Sequence, residues 1–301
     1  MASALLSLIL AFIGYSIHNI GQAGQKIGLA HARRNWLAGT AIWILASAGT
    51  MVSAFLLLYA VSLGSVALVG ALGGSGLASL ALFSHWVMKE PIGRRELAGV
   101  GVIFGAAAMI GAFHHAIKPV SFQPLVLFLF LAAVCAIYVL AWVIFARRRS
   151  SVGIVIAGFS GALGGVVPLF QKVSTSEYGR ARSLLELEFQ STGHFVRLLQ
   201  RGAEILSNPY ALMWMGISVI SMIIMQFSYR RDTAIRLVPA FASNYISVPV
   251  LGALICFGER LHPAQWVGIA LIAVGVLLLT LKKQSREAGE PASRVSSRAG
   301  D

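Results

Sequence analysis

Apolar residues run along this chain in long unbroken stretches, and its polar residues collect at the breaks between them. No Lys, Arg, Asp or Glu occurs from Asn35 to Met88. At about 1.5 Å of rise per residue, that stretch is long enough to cross a hydrocarbon core of roughly 30 Å twice, with a turn near Ser62 to Ser65. A backbone in hydrocarbon must satisfy its own hydrogen bonds, so the pattern predicts a helical hairpin. Extended over the whole chain, it predicts nine spans: 3–25, 37–61, 65–88, 97–113, 123–145, 152–171, 209–228, 235–257 and 264–281. The first span carries no Lys or Arg before Lys26 and is followed by polar residues, so it reads as a retained helix and not a cleaved signal.

Composition agrees with an all-α, polytopic membrane protein. Hydrophobic residues make up 57% of the chain and charged residues 12%, and the mean hydropathy is +0.78, beyond what a soluble domain of this size buries. The formal charge of +13 does not indicate nucleic acid, because the basic residues sit in short clusters beside apolar spans and form no basic face. They report topology and contact with anionic lipid instead. With the N-terminus outside, 17 of the Lys and Arg residues fall on cytoplasmic loops and the C-terminal tail and seven fall outside, five of these in segment 172–207. Nine spans then place the C-terminus in the cytoplasm and the protein in the plasma (inner) membrane. Residues 284–301 read as a disordered cytoplasmic tail.

The chain also repeats itself. Leu68-Val69-Gly70-Ala71 leads through an apolar run to Lys89-Glu90, and Leu237-Val238-Pro239-Ala240 leads through another to Gly258-Glu259. Each segment is 23 residues from Leu to Glu, and a Gly follows nine residues later, at Gly99 and Gly268. Gln25-Lys26 closes the first span and Gln171-Lys172 the sixth. Residues 1–113 therefore form a first repeat of four spans, 114–151 a connecting fifth span, and 152–283 a second repeat, which the single connector inverts across the bilayer. Inverted repeats of this kind underlie alternating access around a central site.

These residues resemble the drug/metabolite transporter superfamily, whose repeat pairs an apolar helix ending in Gly-Glu or Lys-Glu with a following Gly-rich helix. Within it, the chain is most similar to the NIPA magnesium transporters, through Trp36-Leu37-Ala38-Gly39, Leu68-Val69 with Leu72-Gly73 before Lys89-Glu90, Gln171-Lys172, and Gln226 with Tyr229. The resemblance implies a nine-span transporter of magnesium or another divalent cation. The chain departs from the pattern at Ala71, around Phe241-Ala242 and in an expanded 172–207 segment. All eleven carboxylates fall at predicted span ends, in loops or in the tail. A magnesium ion, which holds its water tightly, would then meet only waters, amides, hydroxyls and backbone carbonyls at mid-membrane. A carrier of a small organic metabolite or drug remains the alternative, and a non-transporting membrane scaffold or accessory protein is the reading from another class.

Candidate pathway residues begin in the first span. Tyr15, Asn19, Gln22 and Lys26 recur at helical spacing with His18 and Gln25 beside them, so one face is polar and should turn from lipid toward a cavity or a neighbouring helix. Ser75 and Asn244 hold corresponding repeat positions, and Tyr245 follows. Glu90 and Glu259 are gating candidates; as structural groups they would cap the helices that start after them. The pairs Gly24/Gly28, Gly101/Gly105 and Gly161/Gly165 have the spacing of close helix contacts. His114-His115 is a weak metal pair, no metal ligands are assigned, and Cys135 and Cys256 read as packed thiols. No nucleophile–base constellation is recognisable, so no enzyme and no cofactor are expected. The expected partners are the lipid bilayer and the solute; a homo-oligomer is left open. Segment 172–207 reads as interfacial amphipathic helices.

Overall fold

Each apolar stretch folds as the pattern requires. The computed structural model describes residues 2–32, 34–87, 89, 92–113, 123–145, 149–176, 208–229 and 234–287, and among them only helices occur as regular structure. The helices are α1 Ala2–Ala32, α2 Trp36–Leu63, α3 Val66–Ala71, α4 Gly73–Trp86, α5 Arg94–Ala112, α6 Pro124–Phe145, α7 Arg149–Ser176, α8 Pro209–Tyr229, α9 Ala234–Phe257 and α10 Pro263–Glu287. Seven segments are long and apolar enough to cross a membrane, α3 and α4 together forming one of them, and α8 and α10 carry shorter apolar stretches. Large apolar side chains stand exposed along α2 and α6, among them Trp36, Leu45, Ile137 and Trp142. In water such surface would be unstable; in hydrocarbon it is the expected exterior. The chain is an integral membrane protein.

Four features differ from the pattern. First, α1 continues through Lys26 to Ala32. Second, α7 continues to Ser176, which takes Lys172 out of the expected outside loop and into the bundle, 7% exposed. Third, the third stretch breaks at Leu72, ahead of Gly73-Gly74. There the Ser75 amide (2.8 Å) and the Ser75 hydroxyl (2.7 Å) both bond the Leu72 carbonyl. At the C-terminus α10 runs to Glu287, four residues into the expected tail. The remainder of that tail, residues 177–207, His114-His115 and Glu90 lie outside the described residues.

Packing follows the small residues. α1 lies along α2, where an added side chain at Gly24 would meet the Ala46 Cβ at 2.9 Å and one at Gly28 the Trp43 amide at 2.7 Å. α7 lies against α8 and α9, with Gly161 on the Phe241 backbone and Gly165 on Val248 and Pro249. α5 pairs with α10, Gly99 and Gly275 each facing the other's carbonyl. The Gly101/Gly105 pair differs from expectation: nothing lies within 4 Å of either, so it mediates no contact within the described chain. α3 with α4, and α7, occupy the centre, whereas α6 sits at the rim. Buried hydroxyls bridge neighbouring helices, Ser160 and Ser221 each donating to the other's carbonyl at 2.7 and 2.9 Å. Ser7 donates to the Ala60 carbonyl at 2.6 Å. Cys135 and Cys256 are free, the second buried.

The two halves turn their corners alike. Lys89 (φ 57°) and Gly258 (φ 61°), the residues aligned by the repeat, both adopt the left-handed conformation. Four residues after each of them a helix is about to begin, and there a side chain reaches back to an amide. Glu96 accepts from the Gly93 amide at 2.5 Å and Gln265 from the His262 amide at 2.8 Å. This is half of a capping box. Glu96 and Gln265 are themselves aligned by the repeat, and the helix-start role expected of Glu259 belongs to Gln265, six positions further on.

Candidate functional site

The first helix directs its polar face inward. His18, Asn19 and Gln22 of α1 line a cleft with Gly73 and Leu77 of α4 and Phe241, Ala242, Tyr245 and Ile246 of α9. The cleft thus draws on both halves of the sequence. Its volume is about 20 Å³, room for roughly one water, so any larger solute needs the halves to move apart.

An aromatic pair closes the cleft at one end, Tyr245 lining it and Tyr15 lying behind Tyr245. Tyr15, 1% exposed, meets Tyr245 edge to face with ring centroids 5.9 Å apart and an interplanar angle of 82°. Tyr245 stacks on Phe241 one turn earlier at 5.3 Å and 18°. Glycine makes this approach possible, because side chains at Gly73 and Gly164 would press on the Tyr245 ring from two sides. On α1 the cleft residues follow Tyr15, and on α9 those other than Tyr245 and Ile246 precede it. The cleft therefore lies on the side of the tyrosine pair away from Glu259, and Gln22, its furthest residue along α1, is exposed.

The polar groups of α1 form a defined relay. The Ser53 hydroxyl donates to the Thr50 carbonyl at 2.6 Å, so its oxygen is left to accept from His18 Nδ1 at 3.3 Å. His18 Nε2 then accepts from the Gln22 amide at 3.0 Å. With the Gln22 amide nitrogen as donor, this network corresponds to a neutral imidazole with its proton on Nδ1. The Asn19 amide donates to the Tyr15 carbonyl at 2.9 Å, and Gly76 of α4 leaves the space that its side chain fills.

Other candidates lie elsewhere. Gln25 donates to Ser47 and Thr50 of α2 at 3.2 and 3.3 Å, the interhelical role that competed with pathway lining. Ser75 bonds within its own helix break, as above. Asn244 donates to the Ala240 carbonyl at 2.8 Å and faces Gly158 of α7. The structure brings neither Ser75 nor Asn244 into the cleft. The side chain of Lys26 lies outside the described residues. No group of three or more His, Cys, Asp or Glu residues gathers among the described residues.

The sequence reading missed what Glu259 and Lys172 do. Gly258 turns the chain back after α9, and the Glu259 carboxylate caps α3 instead of α10. It accepts from the Ser65 hydroxyl at 2.5 Å, the Val66 amide at 3.0 Å and the Ala67 amide at 3.2 Å. Lys172 donates to the Val61 and Gly64 carbonyls, both at 2.9 Å, at the other side of the same turn. Each charge matches the helix end it meets: a carboxylate on the free amides of α3 and an ammonium on the free carbonyls of α2. The repeated Glu and the Gln-Lys pair were the available signals, but their partners lie more than a hundred residues away in sequence.

Compared with protein-family models, with curated proteins and with solved structures, the chain matches none, so its function is argued from this cleft and this turn alone.

Proposed function

We propose that the chain is a membrane transporter of the drug/metabolite type, with nine spans in two inverted repeats and a solute site in the cleft between α1, α4 and α9. The observation that carries this reading is the cleft itself, polar and aromatic, lined from both halves and buried among apolar helices. The repeat gains support from the left-handed Lys89 and Gly258 and from the matching Glu96 and Gln265 caps. The basic clusters favour an orientation with the Glu259 end outside and the cleft toward the cytoplasm.

The cleft chemistry favours a small organic solute over a divalent cation. Its lining offers an imidazole, two amides and aromatic rings, and no carboxylate. Stacking faces beside neutral hydrogen-bonding groups suit a planar polar molecule. Magnesium, the substrate implied by the resemblance, would pass here only as a hydrated ion, because neutral amides compensate poorly for lost water.

Purified protein in liposomes separates the two. A thermal-shift screen of uncharged aromatic metabolites, followed by counterflow of those that stabilise, is expected to give solute exchange that Tyr245→Ala abolishes. Magnesium influx measured with an entrapped fluorescent indicator, unaffected by any organic solute, would replace this reading with the cation one. Absence of both fluxes would favour the scaffold.

A further inference from the structure

We infer that Glu259 and Lys172 form a latch that holds the outer end of the pathway shut, and that outward opening requires the second repeat to let go of the α2–α3 turn. This inference rests on the transporter reading. Five hydrogen bonds join the turn to the two side chains, and every one involves a charged group. Such bonds are stronger than neutral ones. They are also the kind that can open reversibly at a membrane surface, because both the carboxylate and the ammonium regain water when they part.

The position fits a gate. The turn belongs to the first repeat, while Lys172 and Glu259 come from α7 and from just beyond α9 in the second. Beneath the latch the seal continues inward: Gly70 of α3 sits against the Pro249 ring, and Tyr15 against Tyr245. The cleft lies on the far side of that column, with Gln22 at its exposed end. A latch closed above a cleft open below is one of the two states that alternating access needs.

Two positions report on the two ends. Ala253, fully buried, follows Pro249 by one turn of α9 and lies between the Gly70 contact and the latch. Leu77 lines the cleft. In full-length protein carrying Cys135→Ala and Cys256→Ala, Ala253→Cys and Leu77→Cys are labelled separately with a membrane-impermeant maleimide. Right-side-out vesicles expose the outer end and inside-out vesicles the inner end.

With the latch intact, Leu77→Cys is expected to label from inside, as the inner ends of the two halves part to admit the reagent, and Ala253→Cys not from outside. Glu259→Gln or Lys172→Met should raise outside labelling of Ala253→Cys roughly tenfold without raising inside labelling of Leu77→Cys, a shift of about 1.4 kcal/mol in the equilibrium while the inward state still predominates. Ser65→Ala, which removes one bond, should give a smaller shift in the same direction and carries the test if the charge variants fail to accumulate. Gain of label at both reporters would mean local loosening, and no gain at Ala253→Cys would mean a fixed structural cap; either overturns the latch. Failure of Leu77→Cys to label from either side with the latch intact rejects the transporter reading, and the latch with it.

Discussion

Tyr15 and Tyr245, separated by most of the chain, meet edge to face at 5.9 Å, and Tyr245 lines the cleft. One comes from the first helix and the other from the ninth, so the contact ties the two halves together where a solute would sit. Aromatic pairs of this geometry contribute about 0.5–1.5 kcal/mol beyond the area they bury. A double-mutant cycle of Tyr15→Leu and Tyr245→Leu, followed by equilibrium unfolding in mixed micelles, should return a coupling energy in that range. Additive effects would mean that the rings merely fill space.

The left-handed corners give a second, opposite pair of expectations. Lys89 holds a conformation that costs a side-chain-bearing residue about 1–2 kcal/mol, and glycine avoids that cost. Lys89→Gly should therefore raise the thermal midpoint in detergent. Gly258→Ala should lower it, with a loss on the order of 1 kcal/mol, and should also displace Glu259 from α3. Equal and opposite shifts are not required, but the same sign for both would contradict the shared backbone turn.

Close helix approach makes the third. A Cβ at Gly161 would run into the Phe241 backbone, whereas nothing lies within 4 Å of Gly101. Gly161→Ala should destabilise by about 1–3 kcal/mol through overpacking of α7 on α9. Gly101→Ala should be neutral, or stabilising by up to about 1 kcal/mol through helix propensity. Thermal unfolding of the two variants side by side decides this, and a penalty at Gly101 would instead reveal a partner on that face of α5.

The helices were legible because apolar runs of membrane length have few other ways to fold. The inward polar face of α1 was legible too, since Tyr15, His18, Asn19 and Gln22 share a side that lipid would reject. Lys172 was not: a lysine at the end of an apolar run ordinarily marks the water boundary. Only the free carbonyls of Val61 and Gly64 explain its burial. Glu259 meets the start of α3 and not that of α10, because the reversal at Gly258 is a backbone event that spacing alone does not reveal. Gln25 shows a further limit. Its place on the polar face was visible, but whether that face met a cavity or Ser47 and Thr50 depended on how α2 packs.

The cap on α3 also constrains the order in which the protein can be made. Ser65 and Glu259 are 194 residues apart, so when the ribosome has delivered the first four spans to the membrane, the amides of Val66 and Ala67 have yet to receive their carboxylate. The central helix of the first half reaches its final state only after the ninth helix has been inserted and its terminal turn has folded back. Maturation is thus a property of the whole polypeptide, and a chain truncated after α6 would leave the membrane with an unfinished helix end at its core.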